Sequence, residues 1–207
     1  MKPEFWISKW ADNQIGFHQD NIHPLLVKYW PFLNLNSESR VLVPLCGKSK
    51  DMVWLAEQRH QVTGIELNNV AIESFFRENH LKIKNRTGDV SHSQNIDIIN
   101  ADVFKVSKKH TKKVGAVYER GSLIALPKNI RTDYINKLKG LLDPGTLILL
   151  ITLEYKEEMI SPPPFSISRN NVEDLYHSWC DVNYLETIKS DVKGLAATES
   201  VYQIKVR

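Results

Sequence analysis

Four turns and one aromatic cluster are the places in this chain where residue type and spacing could do chemistry. In Val41-Leu-Val-Pro-Leu-Cys-Gly-Lys48 an apolar run enters a turn with a single glycine, and a helical pattern follows. A dinucleotide site needs several glycines so that backbone can approach a pyrophosphate at a helix N-terminus. A ligand without phosphate needs only one close approach, at Leu45 to Gly47; otherwise this is an ordinary strand-to-helix turn. About 20 residues past Gly47 stands Glu66, where a carboxylate can accept from a ribose diol or cap the following helix. In Ala101-Asp-Val-Phe104, Asp102 can accept from an adenine amino group while Val103 or Phe104 packs on the ring, or it can serve as an N-cap. Tyr118-Glu-Arg-Gly-Ser122 places two opposite charges where a strand should end. Both are expected to face the cleft where a donor and an acceptor would meet, with the Arg120 fork clamping a carboxylate or an electron-rich acceptor; the alternative is a structural Glu119–Arg120 ion pair. Trp6, Trp10 and Phe17 could hold a cation on their ring faces or form local core. His18 and Asp102 are candidate proton acceptors, each with a structural alternative.

These residues need elements to converge on one place. Short β-rich runs at Arg40–Pro44, Gln61–Glu66, Ile96–Asn100, 114–119 and 146–152 alternate with helical patterns at 51–59, 70–79 and 131–141. That alternation predicts a parallel sheet with helices on both faces. In such sheets ligands bind beyond the carboxyl ends of the strands, where all four turns fall. A short helix over 172–179 and two alternating runs at 184–190 and 200–206 follow. The intervening 191–199 is too short for a parallel crossover, so this last pair should be antiparallel. Five parallel strands closed by an antiparallel hairpin predict a seven-stranded α/β fold, and that arrangement resembles the Rossmann-like fold of the class I methyltransferases. Residues 1–36, with i, i+4 spacing of Phe5, Trp6 and Trp10 and then Leu25, Leu26, Tyr29 and Trp30, predict a helical cover over a core at 37–207.

The 207 residues suit a single domain. The longest apolar run, 145–152, is a strand's length, well below the roughly 20 residues of a membrane span. The N-terminus lacks the features of a secretory signal, so a cytoplasmic protein is expected, with Cys46 and Cys180 as free thiols. Net charge is +3 and the one dense basic tract, Lys108-Lys-His-Thr-Lys-Lys113, reads as a solvated loop. The tract has no stacking aromatics, so no nucleic-acid partner is expected. Ser161-Pro-Pro-Pro-Phe165 superficially resembles an adenine-methyltransferase motif, but that motif belongs after the fourth strand, where this chain has 119–122 instead. A non-catalytic module binding an adenosine-type ligand is the rival from another class.

Trp6, Trp10, Gly16-Phe-His18, Pro44-Leu-Cys-Gly-Lys48, Gly64-Ile-Glu66, Glu119-Arg120 with Leu126-Pro127, and Pro163-Pro-Phe165 resemble the motif set of the thiopurine S-methyltransferases, in order and nearly in spacing. The resemblance implies S-adenosylmethionine as co-substrate, a ligand that carries no phosphate. By matched position it implies cofactor contacts at Trp10, Leu45, Glu66 and Arg120, a substrate-side aromatic at Phe17, and Arg120 as the catalytic residue; Asp102 joins the cofactor contacts on the reading above. The implied reaction is in-line attack of a small aromatic thiol, or of a selenium or tellurium compound, on the sulfonium methyl. The expected partner is a small-molecule thiol, with no nucleic acid, membrane or metal, and the expected state is a monomer. The acid before Arg120 is usually Asp in the family; Glu119 is one methylene longer.

Overall fold

A computed structural model describes residues 3–207; the first two residues of the expected 1–36 cover lie outside the described residues. Strands β1 (Arg40–Pro44), β2 (Gln61–Glu66), β5 (Ile96–Asn100), β6 (Ala116–Arg120) and β7 (Leu147–Glu154) pair in parallel in the order β5-β2-β1-β6-β7. Their continuous apolar runs are explained by burial on both faces. Val41, Val43, Tyr118 and Ile151 pack on one side with helices α2 (Pro24–Tyr29), α3 (Asp51–Glu57) and α4 (Asn69–Glu78). Leu42, Val117 and Leu150 pack on the other with α6 (Lys128–Leu141) and α7 (Arg169–Tyr176). Helix α1 (Pro3–Ala11) lies ahead of these and contacts α4. No helix of the described residues is long and apolar enough to cross a membrane.

The sheet has nine strands among the described residues, against an expectation of seven. The addition is a hairpin of β3 (Asn85–Thr87) and β4 (Val90–Ser93), which extends the β5 edge antiparallel. Apart from Val90 its strand residues are polar and β3 is fully exposed, so no apolar alternation marks it. At the other edge β9 inserts antiparallel between β7 and β8, as the short connection requires. These two strands are longer than their alternating runs: β8 spans Cys180–Val192 and β9 Leu195–Val206. Most of 191–199 is therefore strand, turned at Lys193 and Gly194, which hold φ of 51° and 76°. Two positive φ values match the twist of a tight hairpin turn. The basic tract also differs from a plain loop, because Lys108–Thr111 forms one helical turn, α5, behind Ser107.

Gly64 brings the first turn against β2. A Cβ there would stand 2.7 Å from the Cys46 sulfur and 3.0 Å from that of Met52, so only glycine lets the β1 turn and α3 seat this closely. Both cysteines are buried free thiols.

Candidate functional site

A cavity of ≈ 990 Å³ opens beyond the carboxyl ends of the parallel strands, around the junction of β1 and β6. This is the switch point of the sheet, where helices leave toward opposite faces and a cleft is left between them. Trp10, Phe17, Leu45, Glu66, Asp102 and Arg120 all line it.

The floor is built by the turn after β1. Leu45 and Gly47 hold φ of 48° and 53°, the left-handed region that costs a leucine on the order of 1–2 kcal/mol. Glu66 holds this turn. Its Oε2 accepts from the Gly47 N–H at 2.9 Å, and its Oε1 from the Asn68 N–H at 2.7 Å. Burial raises the Glu66 pKa, and the backbone donors at Asn68, Gly47 and Leu67 oppose that shift. A carboxylate has about four acceptor positions. The two hydrogen bonds above use two of them, so bracing the β1 turn and holding a ligand diol are compatible at one side chain; α4 itself is capped by Asn68, whose Oδ1 accepts from the Val70 N–H at 2.8 Å, and not by Glu66.

Trp10 is buried and packs over Gly47, where an added Cβ would meet the indole at 3.3 Å. Its ring meets Phe17 edge-on at 5.7 Å, and Trp6 meets Phe17 in the same manner at 5.6 Å. The aromatic cluster is therefore partly its own core, while Phe17 stays 43% exposed at the cavity mouth. His18 also lines the cavity, and burial together with Lys48 depresses its pKa, so the ring is neutral near pH 7. Asp102 caps the turn Val103–Lys105 by accepting from the Phe104 N–H at 3.0 Å, which occupies one of its oxygens. Val103 and Phe104 line the cavity beside it.

The expectation that Glu119 and Arg120 face the cleft together is corrected. Successive strand residues point to opposite faces. Arg120 lines the cavity; Glu119 is fully buried on the α6 side, accepting from the Tyr134 hydroxyl at 2.6 Å and the Leu123 N–H at 3.1 Å. They form no ion pair. Arg120 has no hydrogen bond or ion pair to another described side chain, and its guanidinium is open to the cavity.

Burial pushes the Glu119 carboxyl up from 4.5 to about 7. The native state thus binds more protons here than the unfolded chain between about pH 4.5 and about pH 7, and stability falls as pH rises through that window. The loss is on the order of 3 kcal/mol. Glu119→Gln should flatten this slope in denaturant unfolding measured from about pH 5 to about pH 8. Equal slopes in wild type and variant would mean that Glu119 does not titrate there.

Sequence reading missed a polar chain along the Arg120 face. The Tyr118 hydroxyl donates to Asp51 at 2.8 Å, Asp51 also accepts from the His23 N–H at 2.9 Å, and His23 Nε2 lies 3.3 Å from Glu199. Tyr118 and Glu199 line the cavity. The proline loop, set aside for its place in the chain, also reaches the cavity wall at Ser161 to Pro164.

The family model described as Thiopurine S-methyltransferase matches residues 1–205. A thiopurine S-methyltransferase of Shewanella baltica is 45% identical over 89% of this chain and 86% of its own length. One from Shewanella sediminis is 40% identical over 99% of this chain and 98% of its own. Among solved structures, 1,6-didemethyltoxoflavin-N1-methyltransferase of Burkholderia thailandensis, with 1,6-didemethyltoxoflavin and S-adenosylhomocysteine bound, superposes at a TM-score of 0.67. It is 13% identical, and the match covers 99% of this chain and 87% of that one.

Proposed function

Because the chain belongs to the thiopurine S-methyltransferase family, and is thereby an S-adenosylmethionine-dependent methyltransferase, we propose that it methylates the sulfur of a thiopurine or another small aromatic thiol. The observation that carries this reading is Arg120: a guanidinium with no hydrogen-bond or ion-pair partner among the described residues, in the same cavity as the Glu66 carboxylate and the half-exposed Phe17 ring.

The cavity's residues fit the co-substrate, which supplies a methyl group activated on a sulfonium. Glu66 has acceptor capacity left for a ribose diol, and its two backbone bonds hold the carboxylate in place before any ligand arrives. The second oxygen of Asp102, with Val103 and Phe104 on either side, suits an adenine edge and face. Leu45 in the β1 turn and Trp10 packed over that turn would enclose the methionine end. Arg120 would orient a carboxylate or the acceptor ring, and Phe17 would cover the acceptor.

An aromatic thiol conjugated to a heterocycle is substantially ionised near neutral pH, so no strong base is demanded of the site. The protein's contribution is alignment and exclusion of water by the α1 cover, which in well-oriented cases is worth roughly 7–11 kcal/mol. Selenols and reduced tellurium compounds have the same nucleophile chemistry and belong in the same test. Incubation with methyl-labelled S-adenosylmethionine and a panel of aromatic thiols, selenols, tellurite, RNA and DNA should place label on an aromatic thiol. Label recovered chiefly in nucleic acid would overturn the acceptor class.

A further inference from the structure

Glu199 lies outside every sequence motif that led to the site, yet the sheet register places it beside the reacting end of the cavity. Arg120 pairs with Ile151, Ile151 with Val201, and Leu153 with Glu199. Directly paired residues share a face, and residues two apart on one strand do as well. Arg120 and Glu199 therefore stand on one face, and both line the cavity.

The carboxylate is held there. His23 Nδ1 accepts from the Leu25 N–H at 3.3 Å, which leaves the ring proton on Nε2. Nε2–H then donates to Glu199 Oε1, also at 3.3 Å. The Glu199 side chain is 14% exposed. Burial pushes its pKa up, but the hydrogen bonds from His23 and Ser190 and the nearby charge of Arg120 outweigh that, so the carboxyl titrates below its ordinary value and is ionised at neutral pH. Lys193, the neighbouring cation in the cavity wall, is committed elsewhere: its ammonium donates to the carbonyls of Ser161 at 2.9 Å and Pro163 at 3.0 Å. An ionised carboxylate taken this far out of water is costly unless its remaining acceptor positions find donors. The Ser190 hydroxyl, also in the cavity wall, supplies one, and Glu199 lines the cavity with acceptor capacity left.

We propose that Glu199 is a specificity-determining residue for the acceptor: its carboxylate accepts the ring N–H of a heteroaromatic thiol, while Arg120 on the same face takes the sulfur-bearing or electron-rich edge. The assignment rests on the S-methyltransferase reading above and names the kind of thiol chosen. A ring that keeps an N–H after its thiol ionises presents a donor to Glu199 and negative charge toward Arg120. A plain aryl thiolate offers Glu199 nothing, and an oxyanion is repelled by it.

The test compares wild type with Glu199→Gln on two acceptors, 2-mercaptobenzimidazole, whose thiolate retains a ring N–H, and thiophenol, which has none. Glutamine keeps an oxygen for the His23 bond and the shape of the side chain, and removes the charge. The ratio of kcat/KM for the benzimidazole over thiophenol should fall about tenfold or more, the scale of a hydrogen bond to a charged acceptor. The Kd for S-adenosylhomocysteine should stay within about twofold. An unchanged ratio, or both thiols losing turnover by the same factor, would overturn the assignment. A loss of about tenfold in S-adenosylhomocysteine affinity would do so too, by placing the carboxylate on the cofactor's ammonium. If wild type methylates neither thiol, the acceptor reading itself fails and this assignment with it.

Discussion

Arg120→Lys should lower kcat/KM for an aromatic thiol by about 100-fold and leave Tm nearly unchanged. The structural alternative, a Glu119–Arg120 pair supporting the end of β6, is removed by geometry, since Glu119 is sealed on the opposite face with Tyr134 and Leu123. Arg120 has no hydrogen-bond or ion-pair partner among the described residues to lose, and lysine keeps the charge and most of the aliphatic stem. Stability should therefore barely respond. Turnover depends on something lysine cannot supply: a planar fork that fixes a carboxylate or ring edge at two points, where an ammonium is a point charge. A misplacement of about 1 Å in a displacement reaction costs about 100-fold, because attack requires near-collinear approach. Steady-state kinetics alongside thermal unfolding separate the two. Near-normal kinetics in the lysine variant would remove Arg120 from the reacting end of the site.

How much of this was legible in the sequence depends on what each feature leaves in local pattern. The five parallel strands are buried on both faces, so 40–44, 61–66 and 96–100 show as apolar runs with sharp limits, and they match the structure residue for residue. The β3–β4 hairpin leaves no such trace because its outer strand is wholly exposed and polar. Glu119 shows a different failure. The period of two along a strand already separates it from Arg120, but adjacent opposite charges read as a pair, and the competing partner, Tyr134, lies one helix later. The Tyr118–Asp51–His23–Glu199 chain has no local signature at all, because its contacts join residues 67, 28 and 176 positions apart. Glu66 lies between these cases. Its distance from Gly47 marks it as a candidate for a ribose diol, but not that the same carboxylate ties down the turn.

That double duty shapes what Glu66→Ala should do. Truncation removes the acceptor for the Gly47 and Asn68 N–H groups, and each buried donor left unpaired costs about 1–3 kcal/mol. Water entering the vacated space will recover part of this, so Tm should fall measurably. Loss of the diol contact should separately weaken S-adenosylhomocysteine by roughly 1.5–3 kcal/mol, about 10- to 150-fold in Kd. A loosened β1 turn would also weaken binding, so lower affinity alone does not assign the carboxylate to the ribose. A second ligand separates the two effects. Wild type should bind S-adenosylhomocysteine more tightly than its 2′-deoxy analogue, because the analogue leaves the carboxylate short of one donor. If Glu66 holds that hydroxyl, Glu66→Ala should bind both ligands with nearly equal affinity, since the two deletions remove the same contact and cannot add. Titration calorimetry on both proteins with both ligands completes the cycle. Full discrimination retained in the alanine variant would mean that Glu66 only braces the turn and that the ribose is held by other groups.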